Sequence, residues 1–189
     1  MIVDSHDESD TPLKIRDGNR LVEHQFVDGV VVNVLLEGEG GFSKFVCRRD
    51  VEEWNSDAEF LLTQALKNLD EIVLAKTTLK RNKADDRSFD VFFVEGGGDF
   101  TASLVLSDQF WFDYSIDVTK IAVAIPHRNT LVFTSDKSEN SLRYLCDLLP
   151  RFFDDPEEIP NRLILNGILT CDMSSNKVWN VVKPNLILN

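Results

Sequence analysis

The sequence predicts an α+β fold, in which a mostly antiparallel sheet of hairpins and a meander is covered on one face by two or three helices. Short apolar runs alternate with tight turn signals such as Asp28-Gly29, which is typical of hairpins. Two longer segments carry apolar residues at three- and four-residue spacing behind helix-start signals. Strands that come in groups, with helices between the groups, favour α+β over α/β.

The chain has the size and composition of one globular domain. Its 189 residues and its hydrophobic fraction of 43% suit a single core, which we assign to residues 13–189, after a flexible acidic terminus at residues 1–12. No apolar run approaches the roughly 18 residues that a membrane helix needs. The first residues also lack the basic and apolar parts of a secretory signal. We therefore expect a cytoplasmic protein that does not enter a membrane.

The net charge of −12 is the strongest compositional feature. It argues against nucleic-acid binding, because phosphate contacts require clustered lysine and arginine. Three explanations remain open: a protein partner with a basic surface, mimicry of nucleic acid, or an acidic surface that only maintains solubility.

The cysteines and histidines do not form a recognisable metal or redox site. Cys47, Cys146 and Cys171 are widely separated, none belongs to a CxxC motif, and each adjoins apolar residues. We expect them to be buried free thiols. Only three histidines are present and two precede residue 25, so we predict neither a zinc site nor any other metal or cofactor.

The first half of the chain predicts a meander followed by a long helix. Residues 19–27, 30–36 and 42–48 have the pattern of three strands, and residues 50–54 that of one helical turn. The sequence Ser56-Asp57-Ala58-Glu59 is a capping box, which marks the start of a helix. Behind it lies one apolar stripe at helical spacing, formed by Leu62, Ala65, Leu66, Leu69, Ile72 and Val73.

A basic segment, residues 76–88, precedes a buried-type strand at residues 90–95. The basic segment is either an anion or partner contact or a solvated edge strand and loop. The strand ends in Gly96-Gly97-Gly98. This triplet invites comparison with a phosphate cradle, but it matches neither GxGxxG nor GxxxxGK[ST], and Glu95 and Asp99 would repel a phosphate. We expect a flexible turn whose Asp99 or Thr101 caps the next helix.

The segment Ile121–Thr134, IAVAIPHRNTLVFT, predicts two strands joined by a polar turn. The turn brings together His127, Arg128 and Asn129, the few groups here that could perform chemistry or bind a ligand. Asp136-Lys137-Ser138-Glu139 then predicts a capped helix, which Pro150 ends or kinks. Residues 162–170 and 177–182 have the pattern of a final hairpin, before an apolar tail at residues 183–189.

Several of these segments together resemble the YtpQ-like bacterial family of unknown function. The resemblance is carried by QALKNLDE, TASLVLSDQF, IAVAIPHRNTLVFT and LRYLCDLLPRFF, is strongest over Ala124–Thr130, and extends from about Phe42 to Gly167. It implies a similar architecture and a cytoplasmic bacterial setting, and it transfers no catalytic residue. The glycine triplet and the acidic N-terminus depart from the family pattern.

Two classes of function follow from these residues. The first is a non-catalytic protein-interaction module, which could use Arg128 and Asn129 for binding and would suit a partner with a basic surface. The second is a hydrolase or transferase at the Pro126–Asn129 turn, with His127 as general base and Arg128 as electrophilic clamp. An acid such as Asp108, Asp113 or Asp136 would then orient the histidine. The structural alternatives are an exposed turn histidine and an arginine in a surface salt bridge.

Overall fold

A computed structural model describes residues 2–4, 20–37, 43–83, 88–152, 165, 167–172 and 178–183. It confirms the predicted α+β class. The strands are β1 Ile2–Asp4, β2 Glu23–Val27, β3 Val30–Asn33, β4 Leu35–Glu37, β5 Ser43–Phe45, β6 Thr78–Asn82, β7 Val91–Glu95, β8 Ala122–Ala124, β9 Leu131–Thr134, β10 Ile168–Asp172 and β11 Val178–Val182.

Four α-helices accompany these strands in the described residues, together with several 3₁₀ and π segments. One 3₁₀ segment, Gly98–Leu106, directly follows the glycine triplet, and another, Leu149–Phe152, continues the last helix past Pro150. The α-helices are α1 Arg48–Glu53, α2 Ala58–Asn68, α3 Asp108–Asp113 and α4 Glu139–Leu148.

Six strands form the main sheet, in the order β11-β10-β8-β9-β7-β6, and every neighbouring pair is antiparallel. The predicted hairpin at residues 121–134 is present, and the predicted final hairpin is represented by β10 and β11; residues 162–164, 166 and 173–177 lie outside the described part of the chain. The strand β10 pairs with β8, so β10 and β11 form the end of the sheet opposite to β6. Residues 78–82 of the basic segment form the edge strand β6, as the solvated-edge interpretation predicted, and residues 84–87 lie outside the described part of the chain.

The sheet is covered on both faces, which corrects the expectation of one covered face. Side chains of successive strand residues point to opposite faces. Accordingly, Ala122 and Ala124 belong to a cluster with Leu145 of α4, whereas Val123 belongs to a cluster with Trp111 of α3. Burial on both faces explains why β8 and β9 read as continuous apolar runs.

The predicted meander is present but divided between two small sheets. The hairpin of β2 and β3 pairs in the order β1-β3-β2, and the third predicted strand, β5, pairs with β4 instead. The strand β1 lies where we expected a frayed terminus, because the backbone of Ile2–Asp4 pairs with Val30–Val32. Residues 5–19 lie outside the described part of the chain.

The long predicted helix is present, with two local corrections. Its N-cap is Asp57, whose carboxylate accepts a hydrogen bond from Phe60 N at 2.7 Å, rather than Ser56. The last part of the stripe lies in a π segment, Leu69–Val73, where Ile72 is 54% exposed. The wider turn of a π segment shifts the phase of the helical stripe, which takes Ile72 off the core face.

Candidate functional site

The turn between β8 and β9 is closed by a hydrogen bond from Thr130 N to the His127 carbonyl oxygen, at 3.1 Å. This is the bond of a β-turn, and it places Arg128 and Asn129 at its exposed centre. Buried residues flank the turn on both strands, since Ile125 and Leu131 have almost no exposed surface. The core therefore fixes the position of all four turn residues.

His127 is buried, with 5% of its surface exposed, and is not the exposed turn histidine of the structural alternative. Its Nε2 lies 3.1 Å from the Phe152 carbonyl oxygen, and its ring meets the Phe152 ring edge to face at 6.2 Å. A carbonyl oxygen only accepts hydrogen bonds, so this contact places a ring hydrogen on Nε2. While the bond holds, Nε2 cannot act as the general base of the catalytic hypothesis.

Arg128 and Asn129 are both engaged within the chain. The Arg128 guanidinium lies 3.2 Å from an Asp99 carboxylate oxygen, in the surface salt bridge that the structural alternative described. The Arg128 carbonyl oxygen also accepts a hydrogen bond from Ala102 N at 3.0 Å. The Asn129 amide oxygen accepts a hydrogen bond from the Thr130 hydroxyl at 3.0 Å. The turn is thus joined to the segment after the glycine triplet.

The structure places the three candidate orienting acids at helices. Asp136 lies before α4, where its carboxylate accepts hydrogen bonds from Ser141 Oγ and from Ser138 N. Its partial burial acts to raise its pKa, but these hydrogen bonds outweigh that effect and lower the pKa. Asp113 accepts a hydrogen bond from Gln109 at the end of α3, and Asp108 lies in the first turn of that helix.

Contacts within the chain explain two of the three glycines of the triplet. Gly96 has a φ of +93°, and a Cβ there would lie 2.1 Å from the Lys76 carbonyl oxygen. A Cβ on Gly97 would lie 2.7 Å from Thr101 Oγ1. Neither predicted cap forms. The N-cap is Gly97, and the Thr101 hydroxyl instead donates to the Gly98 carbonyl oxygen at 2.8 Å.

The cysteines are free and buried, as predicted. Burial and the nearby Asp147 carboxylate raise the pKa of the Cys146 thiol, which disfavours a nucleophilic thiolate. Cys47 lies at the N-terminus of α1, where its thiol and its backbone N–H both donate to the buried Asp50 carboxylate at 3.0 and 2.9 Å. Lys44 forms an ion pair with the same carboxylate. The described residues hold no group of three or more potential metal ligands.

A cavity of about 640 Å³ lies beside α1, at the bridge between Leu21 and Cys47. Its charged lining is balanced, and apolar side chains complete the wall. The lining residues are Arg20, Leu21, Val22, Glu23, Arg48, Val51, Glu52 and Ala58.

The exposed segment that ends α1 and begins α2 carries aromatic side chains among acidic residues. Trp54, which ends α1, is 44% exposed, and Phe60, in the first turn of α2, is 55% exposed. Asp57 is the N-cap of α2, and Glu53 pairs with Arg49 at 3.5 Å. We call this surface the acidic corner; its residues are Glu52, Glu53, Trp54, Asp57, Glu59 and Phe60.

Sequence reasoning concentrated on the turn and missed the acidic corner. The signal that was available is helical phase. Phe60 precedes Leu62 by two residues, which is about 200° around a helix, so it lies opposite the apolar stripe that begins at Leu62. An aromatic residue opposite the stripe of an amphipathic helix is expected on the surface.

The class that the fold defines is an α+β domain. Comparisons with protein-family models, curated proteins and solved structures find no match for this chain. The resemblance to the YtpQ-like family therefore remains a prediction. In the described residues, no helix is both long and apolar enough to cross a bilayer.

Proposed function

We propose that the protein is a non-catalytic binding module that recognises a protein partner with a basic surface. The observation that carries this proposal is the distribution of charge. Acidic residues outnumber basic ones by 32 to 20, and within the described residues nine different lysines and arginines are held in ion pairs with carboxylates of the same chain. The excess carboxylates give the surface a field that attracts cationic partners and increases their association rate.

The basic segment at β6 supports the same proposal. Lys80 pairs with Glu95 at 3.5 Å, and Arg81 pairs with Asp90 on the neighbouring strand. These cations form ion pairs between neighbouring strands of the sheet and are therefore less available to an anionic ligand. Exposed ion pairs of this kind contribute little to stability, typically less than about 1 kcal/mol, so their main effect is on the surface potential.

The contacts of the turn favour the binding module over the hydrolase or transferase alternative. Nε2 of His127 is held by a backbone carbonyl group, and Arg128 is held by Asp99. In this proposal Arg128 and Asn129, at the exposed centre of the turn, take part in binding. A cytoplasmic location belongs to the proposal as well, because three free buried cysteines suit a reducing compartment.

The test is to isolate partners by cross-linking in the native host and to measure binding with each purified candidate over a range of ionic strength. We expect a partner with a high isoelectric point, whose affinity falls as salt is added, because screening weakens charge attraction. A protein that stays monomeric and recovers no partner under these conditions would overturn the proposal. Recovery of an acidic partner, with affinity insensitive to salt, would also overturn it.

A further inference from the structure

The acidic corner combines two properties that each favour a partner. Aromatic side chains are enriched at binding hot spots, and tryptophan is among the most enriched residues there. Trp54 and Phe60 are 44% and 55% exposed and lie within one short helix–turn–helix segment. The intervening backbone is held by hydrogen bonds from Ser56 N to Val51 O at 3.1 Å and from Asn55 N to Glu52 O at 3.1 Å. Both rings are therefore presented from a fixed backbone.

The helix that carries Phe60 is also incompletely covered. No residue of the eleven-residue α2 is buried, whereas the shorter α4 buries Ser141, Leu145 and Cys146. The apolar side chains of α2 are divided between two clusters, with Leu62 and Leu66 packed on the main core and Leu61 on a small one. A helix in this position gains further burial when a partner covers its remaining face.

We propose that the acidic corner is the surface to which the basic partner docks, through a segment that bears arginine or lysine side chains next to apolar ones. This inference rests on the proposed function and adds the location and the chemistry of the contact. A cationic side chain packs on the face of Trp54, which is the aromatic residue with the strongest cation–π attraction. Two carboxylates of the corner, those of Glu52 and Glu59, neutralise the incoming charge.

Charge distinguishes this corner from the β6 edge and from the cavity beside α1, whose wall shares Glu52 with the corner. The β6 edge presents basic side chains, and the cavity beside α1 is lined by two arginines as well as two glutamates. Phe112 is more exposed than either corner aromatic, at 78%, but it stands alone on the six-residue α3. Phe112 therefore provides a matched control: an exposed aromatic side chain, also near acidic residues, at another place on the surface.

The experiment measures binding of a labelled peptide of alternating arginine and leucine at about 0.15 M salt. A peptide in which glutamate replaces arginine controls for apolar adhesion. The Trp54→Ala/Phe60→Ala double variant is compared with Phe112→Ala. We expect the double variant to weaken binding about tenfold or more and Phe112→Ala to change it less than about twofold. These side chains are exposed, so each variant is expected to fold. Circular dichroism checks this.

A second pair of variants tests the carboxylates. Glu52→Gln/Glu59→Gln removes two charges at the corner, and Asp108→Asn/Asp113→Asn removes two charges at α3. The corner pair is expected to weaken peptide binding several-fold more than the α3 pair. Equal losses in the two pairs would indicate attraction to the net charge alone, and would overturn the docking site.

The outcomes separate this inference from the proposed function. If the native partner binds but the corner variants bind it as tightly as the wild type, the docking site is wrong and the binding module stands. If no basic partner or peptide binds at all, both fail. Binding of the glutamate peptide as tightly as the arginine peptide would overturn the charge complementarity on which the inference depends.

Discussion

The Nε2 atom of His127 lies 3.1 Å from the carbonyl oxygen of Phe152, so one ring joins the β8–β9 turn to the segment that follows α4. The two residues are 25 positions apart in the chain, and their rings also meet edge to face. This contact makes His127 an anchor between the sheet and a helix. It gives the buried His127 a structural role.

Removing this anchor should lower stability. We expect His127→Ala to reduce the free energy of unfolding by about 1–3 kcal/mol, because it removes a buried hydrogen bond and leaves the space of the ring. Chemical denaturation with urea would measure this change in the free energy of unfolding. The control is Arg128→Ala, which removes an exposed ion pair and should cost less than about 1 kcal/mol. A larger loss for Arg128→Ala than for His127→Ala would contradict the anchor role.

The glycine triplet offers a comparison between two positions with positive φ. At Gly98, φ is +58° and no atom lies within 4 Å of an added Cβ. Gly98→Ala should therefore cost about 1–2 kcal/mol from backbone strain alone. Gly96→Ala adds a contact of 2.1 Å with the Lys76 carbonyl oxygen and should cost more than about 3 kcal/mol. Thermal unfolding would rank the stability of the two variants. Equal losses of stability would mean that a small local shift removes the close contact at Gly96.

The Asp50 carboxylate should make stability depend on pH in the acid range. Hydrogen bonds from the Cys47 thiol, from Lys44 and from Cys47 N–H hold the pKa of Asp50 well below its usual range. A carboxylate with a lowered folded-state pKa stabilises the fold above its unfolded pKa, roughly 3.9. That stabilisation is lost as the pH falls below about 4. Denaturation of Asp50→Asn at several pH values should show lower stability at pH 7 and a weaker loss below pH 4.

The control for that charge removal is Asp57→Asn, at the N-cap of α2. Asparagine caps a helix about as well as aspartate, so the free energy of unfolding at pH 7 should change by less than about 0.5 kcal/mol. An Asp50→Asn variant as stable as Asp57→Asn at pH 7 would show that the hydrogen bonds at Asp50 contribute little.

The aromatic core and the exposed aromatics should respond differently to truncation. Phe133 has no exposed surface, stacks on Phe92 at 4.9 Å and meets Trp111 edge to face at 5.5 Å. Phe133→Ala should cost about 3–5 kcal/mol, because it leaves a cavity between close-packed rings. Phe112→Ala should change stability by less than about 0.5 kcal/mol. Urea midpoints would test both, and similar losses would contradict the exposure of Phe112.

Much of the architecture could be predicted because its signals are local. The hairpin of β8 and β9 follows from two apolar runs around a polar turn, the Ser138 cap of α4 from a capping residue, and the edge position of β6 from clustered lysines. Each of these depends on residues a few positions apart, which interact in the same way wherever the segment lies in the fold. The correction of the α2 cap from Ser56 to Asp57 is a shift of one residue within such a signal.

The candidate site was less predictable. His127 was expected at the mouth of an exposed turn, but Phe152 covers it, and no local pattern links residues 127 and 152. Helical phase alone would have placed Phe60 on the surface, because that phase is a local property.

By itself, the sequence determined the α+β class, most strand and helix positions, the buried free cysteines and the net negative charge. These depend on composition and on interactions between near neighbours in the chain. Only the tertiary structure decided the strand order, the coverage of both sheet faces, the burial of His127 and the pairing of Arg128 with Asp99. These features depend on contacts between segments that are distant in the chain. Several apolar faces could pair with one another, and close packing of the whole domain decides which of them do.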